Sequence, residues 1–252
     1  MRPGFIDGPK GRIAYDQIAG AGPGVIWLGG FRSDMTGTKA SRLAEWAQEQ
    51  GRTYLRFDYS GHGLSDGAFE EGCISDWFAD ARLIFDRLTE GPQILVGSSM
   101  GGWIAALLAL ARPERVAGIV FIAPAPDFTE ELMWNGMSAA ERETLSREGR
   151  LELPSDYSPE PDVITRKLIE DGRDNLVLPR AGEITCPARI LQGMKDADVP
   201  WRHAMRLAEA LGSKDLVVTL TGDGDHRLST PADLARLVSA AEEIAALARI
   251  PS

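Results

Sequence analysis

One serine stands in a setting that suits nucleophilic chemistry. Ser99 is the middle residue of Gly97-Ser-Ser-Met-Gly101, which follows the apolar run Ile94-Leu-Val96 and opens an apolar helical stretch ending before Pro113. A G-x-S-x-G segment between strand and helix makes a sharp turn. Its glycines admit close backbone, its hydroxyl is lifted clear of the sheet, and the helix N-terminus faces any negative charge that develops there. Ser98 shares the segment but is not central between the two glycines. A serine hydroxyl attacks a carbonyl only when a base takes its proton, and the chain has three histidines. His226, in the polar loop Gly222-Asp-Gly-Asp-His226 after the last apolar run, is the expected base. His62, in Asp58-Tyr-Ser-Gly-His-Gly63, is the alternative base, or else a turn residue whose ring caps its loop. His203 lies off the apolar stripe Ala204, Leu207, Ala208 and Leu211 and is expected to face solvent.

A third group should orient the imidazole and stabilise it when charged. Gly193-Met-Lys-Asp-Ala-Asp-Val-Pro200 follows another short apolar run and offers two carboxylates. Asp196 is nearer the strand end and is the expected partner, while Asp198 is placed to cap the helix that opens after Pro200. Asp223 and Asp225 are too close to His226 in the chain to be first choices. The resulting order along the chain is Ser, then Asp, then His, each on a loop after a strand. A tetrahedral intermediate also needs backbone donors for its oxyanion. Met100, directly after the serine, and Phe31, in Leu28-Gly-Gly-Phe31, are the expected N–H donors.

These residues all lie just after short apolar runs closed by turn residues. Val25–Leu28, Tyr54–Phe57, Ile94–Val96, Ile119–Ile122, Arg189–Leu191 and Leu216–Leu220 read as buried strands. Between them the spacing changes to three and four. Ile74, Trp77, Phe78, Ala81, Ile84, Phe85 and Leu88 share one helical face, and Thr230-Pro-Ala-Asp233 reads as a capping box opening a final helix. Alternating strands and helices predict an α/β fold, a mainly parallel central sheet with helices on both faces, in one domain spanning 1–252. The interval 124–185 interrupts that alternation. It shows no convincing strand, a capping box at Ser138-Ala-Ala-Glu141, and a helix expected from Ser158-Pro159 through Val163, Ile164 and Leu168. It is expected to be a helical lid over the strand ends, with Leu132, Met133 and Trp134 available to line an acyl pocket or simply to pack.

Bulk composition narrows the partners. A chain of 252 residues with 44% hydrophobic and 25% charged residues is ordinary for a globular domain. A net charge of −10 without a basic cluster argues against nucleic acid. No run approaches the ~18 apolar residues of a membrane span. Two isolated cysteines, Cys73 and Cys186, supply neither a zinc site nor a disulfide scaffold and fit a reducing compartment, so a cytoplasmic location is expected. The chemistry needs no cofactor and no metal.

Together Leu28–Phe31, Phe57-Asp-Tyr-Ser-Gly-His-Gly-Leu-Ser65, Gly97–Gly101, Gly193–Pro200 and Asp225-His226 resemble the α/β-hydrolase superfamily. Met35–Ala40, Arg56–Gly61, Gly91–Ser99, Gly101-Gly-Trp103, Val199-Pro-Trp201 and Asp225-His-Arg227 narrow the resemblance to its mitochondrial palmitoyl-protein thioesterase branch. That resemblance implies hydrolysis of S-acyl groups on proteins or of acyl glucuronides, with Ser99, Asp196 and His226 as the triad. The chain starts at Met1-Arg2-Pro3 without a transit extension, as expected of a bacterial relative. The expected substrate is thus a small ester or acyl thioester, or an S-acylated protein. A serine at the nucleophile position argues against dehalogenase and epoxide-hydrolase chemistry. A cofactor-free perhydrolase, a carbon–carbon hydrolase and a ligand-binding receptor on the same fold are the competing readings.

Overall fold

The structure, a computed structural model, describes residues 3–153 and 161–248. The first six strands are β1 (Gly4–Gly8), β2 (Gly11–Ile18), β3 (Ala21–Leu28), β4 (Arg52–Phe57), β5 (Gln93–Ser98) and β6 (Val116–Ile122). A separate antiparallel hairpin, β7 (Arg150–Leu153) with β8 (Asp162–Thr165), comes next. β9 (Ala188–Gly193) and β10 (Leu216–Thr221) complete the central sheet, whose order is β1-β2-β4-β3-β5-β6-β9-β10. β1 and β2 are antiparallel and the pairs from β4 to β10 are parallel.

β3, β5, β6 and β9 are buried on both faces, which is why they read as short apolar runs. β10, at the sheet edge, instead leaves Val217 and Leu220 exposed and is not the buried strand expected of Leu216–Leu220. In β3, Val25 and Trp27 join one core with Leu43 of α1 (Thr38–Glu49) and Ile244 of α7 (Pro231–Leu247). Ile26 and Leu28 join the other, with α2 (Ile74–Leu88) and α3 (Met100–Ala111). Thr230 accepts the Asp233 N–H and the Asp233 carboxylate accepts the Thr230 N–H, so the predicted capping box opens α7. Ser138 and Glu141 form the other, at the start of α4 (Ala139–Glu148). Both cysteines are free. No helix among the described residues is long and apolar enough to cross a membrane.

The sequence reading needs correction in the interval 124–185. It does contain strands, the hairpin β7–β8. Four residues per strand are too few to reveal a period of two, and the adjacent apolar pair Val163-Ile164 fits a helix equally well. Ser158-Pro159 lies outside the described residues. Val163 and Ile164 belong to β8, and helix begins only at α5 (Arg166–Asp174), where the Thr165 side chain accepts the Leu168 N–H at 3.2 Å. The same interval overturns the expectation for His203. On α6 (Trp201–Ala210) this residue is 5% exposed, because the interval packs over the helix face that points away from the sheet. Its Nε2–H donates to the Pro126 carbonyl at 2.7 Å, and Arg206 pairs with Glu131 nearby. Asp198 does not cap α6 either. The N-cap is Pro200, without a side-chain hydrogen bond, and the Asp198 N–H donates to Asp196.

His62 is buried as well, edge-on to Tyr59, Phe69 and Trp77. Burial lowers its pKa from 6.5 to about 4, against an opposing hydrogen bond to Ser60 and with Arg32 adding to the shift. Burial lowers that of His203 too. The His62 ring therefore stays neutral in the fold down to about pH 4, while in the unfolded chain it takes up a proton below about pH 6.5. The unfolded state binds more protons between pH 6.5 and 4, so this contribution to stability falls as pH falls. For His62 alone the loss from pH 7 to pH 5 is roughly 2 kcal/mol. The buried carboxylates Asp58, Asp80 and Asp127 are shifted upward by desolvation, so a comparison with His62→Gln isolates the imidazole. Urea unfolding at pH 7 and 5 should show a smaller decline for His62→Gln than for wild type; equal declines would contradict a neutral buried His62.

Candidate active site

Ser99 sits at the junction of β5 and α3 with φ 54° and ψ −118°, a conformation rare for a residue with a side chain. The flanking glycines explain how the chain makes this turn. A Cβ on Gly97 would lie 2.3 Å from the Gly101 carbonyl oxygen, and one on Gly101 would lie 2.0 Å from that of Leu28. Only bare backbone lets α3 approach β3 and β5 this closely. The Ser99 N–H donates to the Ile122 carbonyl at 2.9 Å, which ties the turn to the end of β6.

His226 reaches Ser99 from the loop after β10. Its Nε2 lies 3.1 Å from the Ser99 Oγ and its Nδ1 lies 2.8 Å from the Asp196 Oδ2. A carboxylate can only accept, so Nδ1 carries the proton and the Nε2 lone pair faces the serine hydroxyl. The loop is held at several points. The Asp225 carboxylate accepts the Leu228 N–H at 3.0 Å, and the Lys195 N–H donates to the Gly224 carbonyl at 2.9 Å. Lys39 Nζ donates to the Arg227 carbonyl. Burial pulls the Lys39 pKa down to about 8, although Asp225, Asp233 and Asp196 oppose the shift.

Asp196 has a fully buried carboxylate. Besides His226 it accepts Gln192 Nε2–H at 3.0 Å and the N–H groups of Asp198 and Val199 at 3.0 and 2.8 Å. Four donors around two oxygens suit an anion. Gln192, fully buried, also donates to the carbonyls of Gly193 and Val199 and so shapes the loop that carries Asp196. The sequence signal for Gln192 is an amide directly after the apolar pair Ile190-Leu191, at the end of a strand, and sequence reading overlooked it. Asp58 was overlooked likewise. Its carboxylate accepts the Met35 N–H at 2.6 Å and the Leu64 N–H at 2.8 Å, joining the loops after β3 and β4.

The two expected donors stand beside the serine. Met100 is the first residue of α3, where an amide has no carbonyl acceptor within its own helix. Phe31 follows Gly30, at which a Cβ would lie 3.4 Å from the Ser99 Cβ. Neither ring nitrogen of His62 faces the serine; both meet backbone, Ser60 O at 3.2 Å and Arg32 N at 3.3 Å. That matches the loop-capping alternative for this residue.

Ser99 and His226 open on one cavity of about 1360 Å³. Phe31, Phe128, Leu132, Met133 and Met137 give it an apolar wall, while Arg32, Asp34, Lys39 and Arg227 line a charged part. Leu132, Met133, Leu153 and Ile164 come from the 124–185 interval, which therefore borders the same space as the serine. Trp134 packs elsewhere, under the guanidinium groups of Arg142 and Arg173. Asp196, Asp198 and His226 bring three possible metal ligands within 4.8 Å of one another. A cation there would have to displace the His226–Asp196 hydrogen bond, so this donor set fits proton chemistry better than a metal.

Known proteins resemble this chain in sequence and in fold. Residues 25–171, more than half the chain, match the family model described as serine aminopeptidase, S33. The chain is 38% identical to palmitoyl-protein thioesterase ABHD10, mitochondrial, of Bos taurus over 233 residues, covering 92% of this chain and 76% of that protein. The structure of mouse α/β hydrolase domain-containing protein 10 superposes with a TM-score of 0.90 at 35% identity, over 97% of this chain and 98% of that one. A protein from Agrobacterium vitis S4 described as a hydrolase gives 0.92 at 46% identity, with the same coverage. With this sheet, this turn and relatives of such identity along almost its whole length, the chain belongs to the α/β-hydrolase family, in the branch of the ABHD10 thioesterases.

Proposed function

We propose that this protein is a serine hydrolase that cleaves acyl thioesters or esters through an acyl-enzyme on Ser99. One observation carries the reading: His226 bridges the Ser99 hydroxyl and the Asp196 carboxylate, and the serine opens on a cavity with an apolar wall. The Ser99 Oγ attacks the substrate carbonyl carbon while the His226 Nε2 takes its proton. Asp196 pairs with the imidazolium so formed. The carbonyl oxygen becomes an oxyanion between the N–H groups of Phe31 and Met100, at the N-terminus of α3. One well-placed donor of this kind is worth about 10²–10³ in rate. His226 then protonates the departing thiol or alcohol, and water, activated by the same nitrogen, releases the acid.

The relatives' thioesterase name supports a long acyl group, and the apolar wall supports it independently. The acyl chain is assigned to the side of Phe128, Leu132 and Met133, and the leaving group to the side of Lys39 and Arg227. An S-acylated protein fits this arrangement only if its chain stays at the mouth while the acyl group enters. The interval 124–185 then acts as a lid whose side chains set acyl length.

Fluorophosphonate labelling and hydrolysis of p-nitrophenyl esters and a palmitoyl thioester should both be lost in Ser99→Ala, turnover by at least about 10³-fold. Labelling and turnover that survive the substitution would place the nucleophile elsewhere. Met133→Trp, which narrows the apolar side, should move the peak of an ester chain-length series to shorter acyl groups. An unchanged profile would show that the acyl chain does not run past Met133.

A further inference from the structure

His62 lies outside the chain Ser99–His226–Asp196, yet both of its ring nitrogens are engaged. The Ser60 carbonyl, 3.2 Å from Nδ1, can only accept, and the Arg32 amide, 3.3 Å from Nε2, can only donate. The two partners therefore fix the tautomer, with the proton on Nδ1 and the lone pair on Nε2. Three aromatic rings hold the plane of the imidazole, at centroid distances of 5.6 Å (Tyr59), 5.0 Å (Phe69) and 5.3 Å (Trp77). Burial disfavours the charged form, so the lone pair stays available.

The turn that His62 holds is the one beside the nucleophile. The Gly30 carbonyl accepts both the N–H and the Oγ–H of Ser33, at 3.2 and 2.8 Å. In a trans peptide the C=O and the N–H point to opposite sides. Tying the Gly30 carbonyl to Ser33 thus turns the Phe31 N–H the other way. The next peptide plane, Phe31–Arg32, is the one held by His62. Arg32 has φ 57°, a left-handed conformation that is unfavourable for a residue with a Cβ and relaxes unless something retains it. Its guanidinium is retained as well, 4.6 Å above the Phe69 ring and 3.3 Å from Asp162 of β8. Among the described residues, the one hydrogen-bond acceptor for its amide is the His62 Nε2.

We propose that His62 is a positioning residue for the oxyanion site: its unprotonated Nε2 holds the Phe31–Arg32 peptide in the left-handed turn that presents the Phe31 N–H to the reacting carbonyl. This rests on the reading of Ser99 as nucleophile and Phe31 as an oxyanion donor. His62 takes no proton in the reaction, since its one lone pair is committed to Arg32.

Two substitutions separate acceptor from donor. Gln places an oxygen near the position of Nε2 and keeps the acceptor for Arg32. Asn places an amide near Nδ1, keeping the donor to Ser60 and losing the acceptor. His62→Asn should lower kcat about 10- to 100-fold with KM within a few-fold, whereas His62→Gln stays within about threefold of wild type. Inhibition by a trifluoromethyl ketone, whose adduct carries an oxyanion, should weaken in His62→Asn by the factor lost from kcat/KM. Thermal melting identifies the folded variants, and either amide variant compared with wild type tests the acceptor. His62→Asn with wild-type kcat and ketone affinity, or Asn and Gln variants impaired alike, would overturn the positioning role alone. Wild-type protein that hydrolyses no ester or thioester would instead overturn the hydrolase reading on which the role rests.

Discussion

The backbone of Ser99 is the constraint around which the rest of this structure is arranged. A residue with a side chain is held at φ 54° between strand and helix, and it stays there because the surroundings leave no alternative. Gly97 and Gly101 remove the side chains that would separate α3 from β3 and β5, and the Ile122 carbonyl retains the serine N–H. The strain has a chemical use. It projects the hydroxyl beyond the end of β5 and puts the first amide of α3 beside it, so the proposed nucleophile and one proposed oxyanion donor are set by one turn.

Once the serine is fixed there, its partners must arrive from the same edge of the sheet. Parallel pairing does this. Gly193 and Thr221 are register partners, so the loops after β9 and β10 leave the sheet side by side. They touch at glycine: a Cβ on Gly193 would lie 2.3 Å from the Gly224 carbonyl oxygen. Asp196 and His226 therefore meet by the register of two strands rather than by a long reach of side chains. Around them, buried polar groups bind backbone. Asp58 ties the loops after β3 and β4, Gln192 shapes the Asp196 loop, and His62 holds the turn at Arg32. Donors fixed before the substrate arrives need no reorganisation as charge develops, which is where most of their catalytic worth lies.

Legibility in the sequence followed the physics of burial. Strands buried on both faces stood out as short apolar runs, and the serine turn stood out because its glycines are sterically required. Asp196 and His226 stood out as candidates because each lies just past a short apolar run. The edge hairpin β1–β2 was not, since its strands are half exposed and mix charges with apolar residues. Nor was β7–β8, too short to show a period. His203 misled because a position off the apolar stripe reads as solvent-facing, whereas the segment carrying Pro126 and Glu131 covers that side of the helix. Asp198 misled because a carboxylate before a helix resembles a cap, but Asp196 already binds the Asp198 and Val199 N–H groups and sets the loop. Asp58 acts through backbone contacts that join the loops after two different strands, which no local pattern records, and Gln192 acts through the folded path of the loop that follows it.

The central claim is that the acyl group passes through Ser99, and mass spectrometry of the quenched protein tests it most directly. The wild type would be mixed with an excess of a slowly deacylated ester, stopped with acid during the first turnover, weighed intact and then digested. Acyl transfer through Ser99 predicts one added acyl group, located on the peptide that contains Gly97–Gly101. Turnover with no covalent addition, or an addition on another residue, would contradict it.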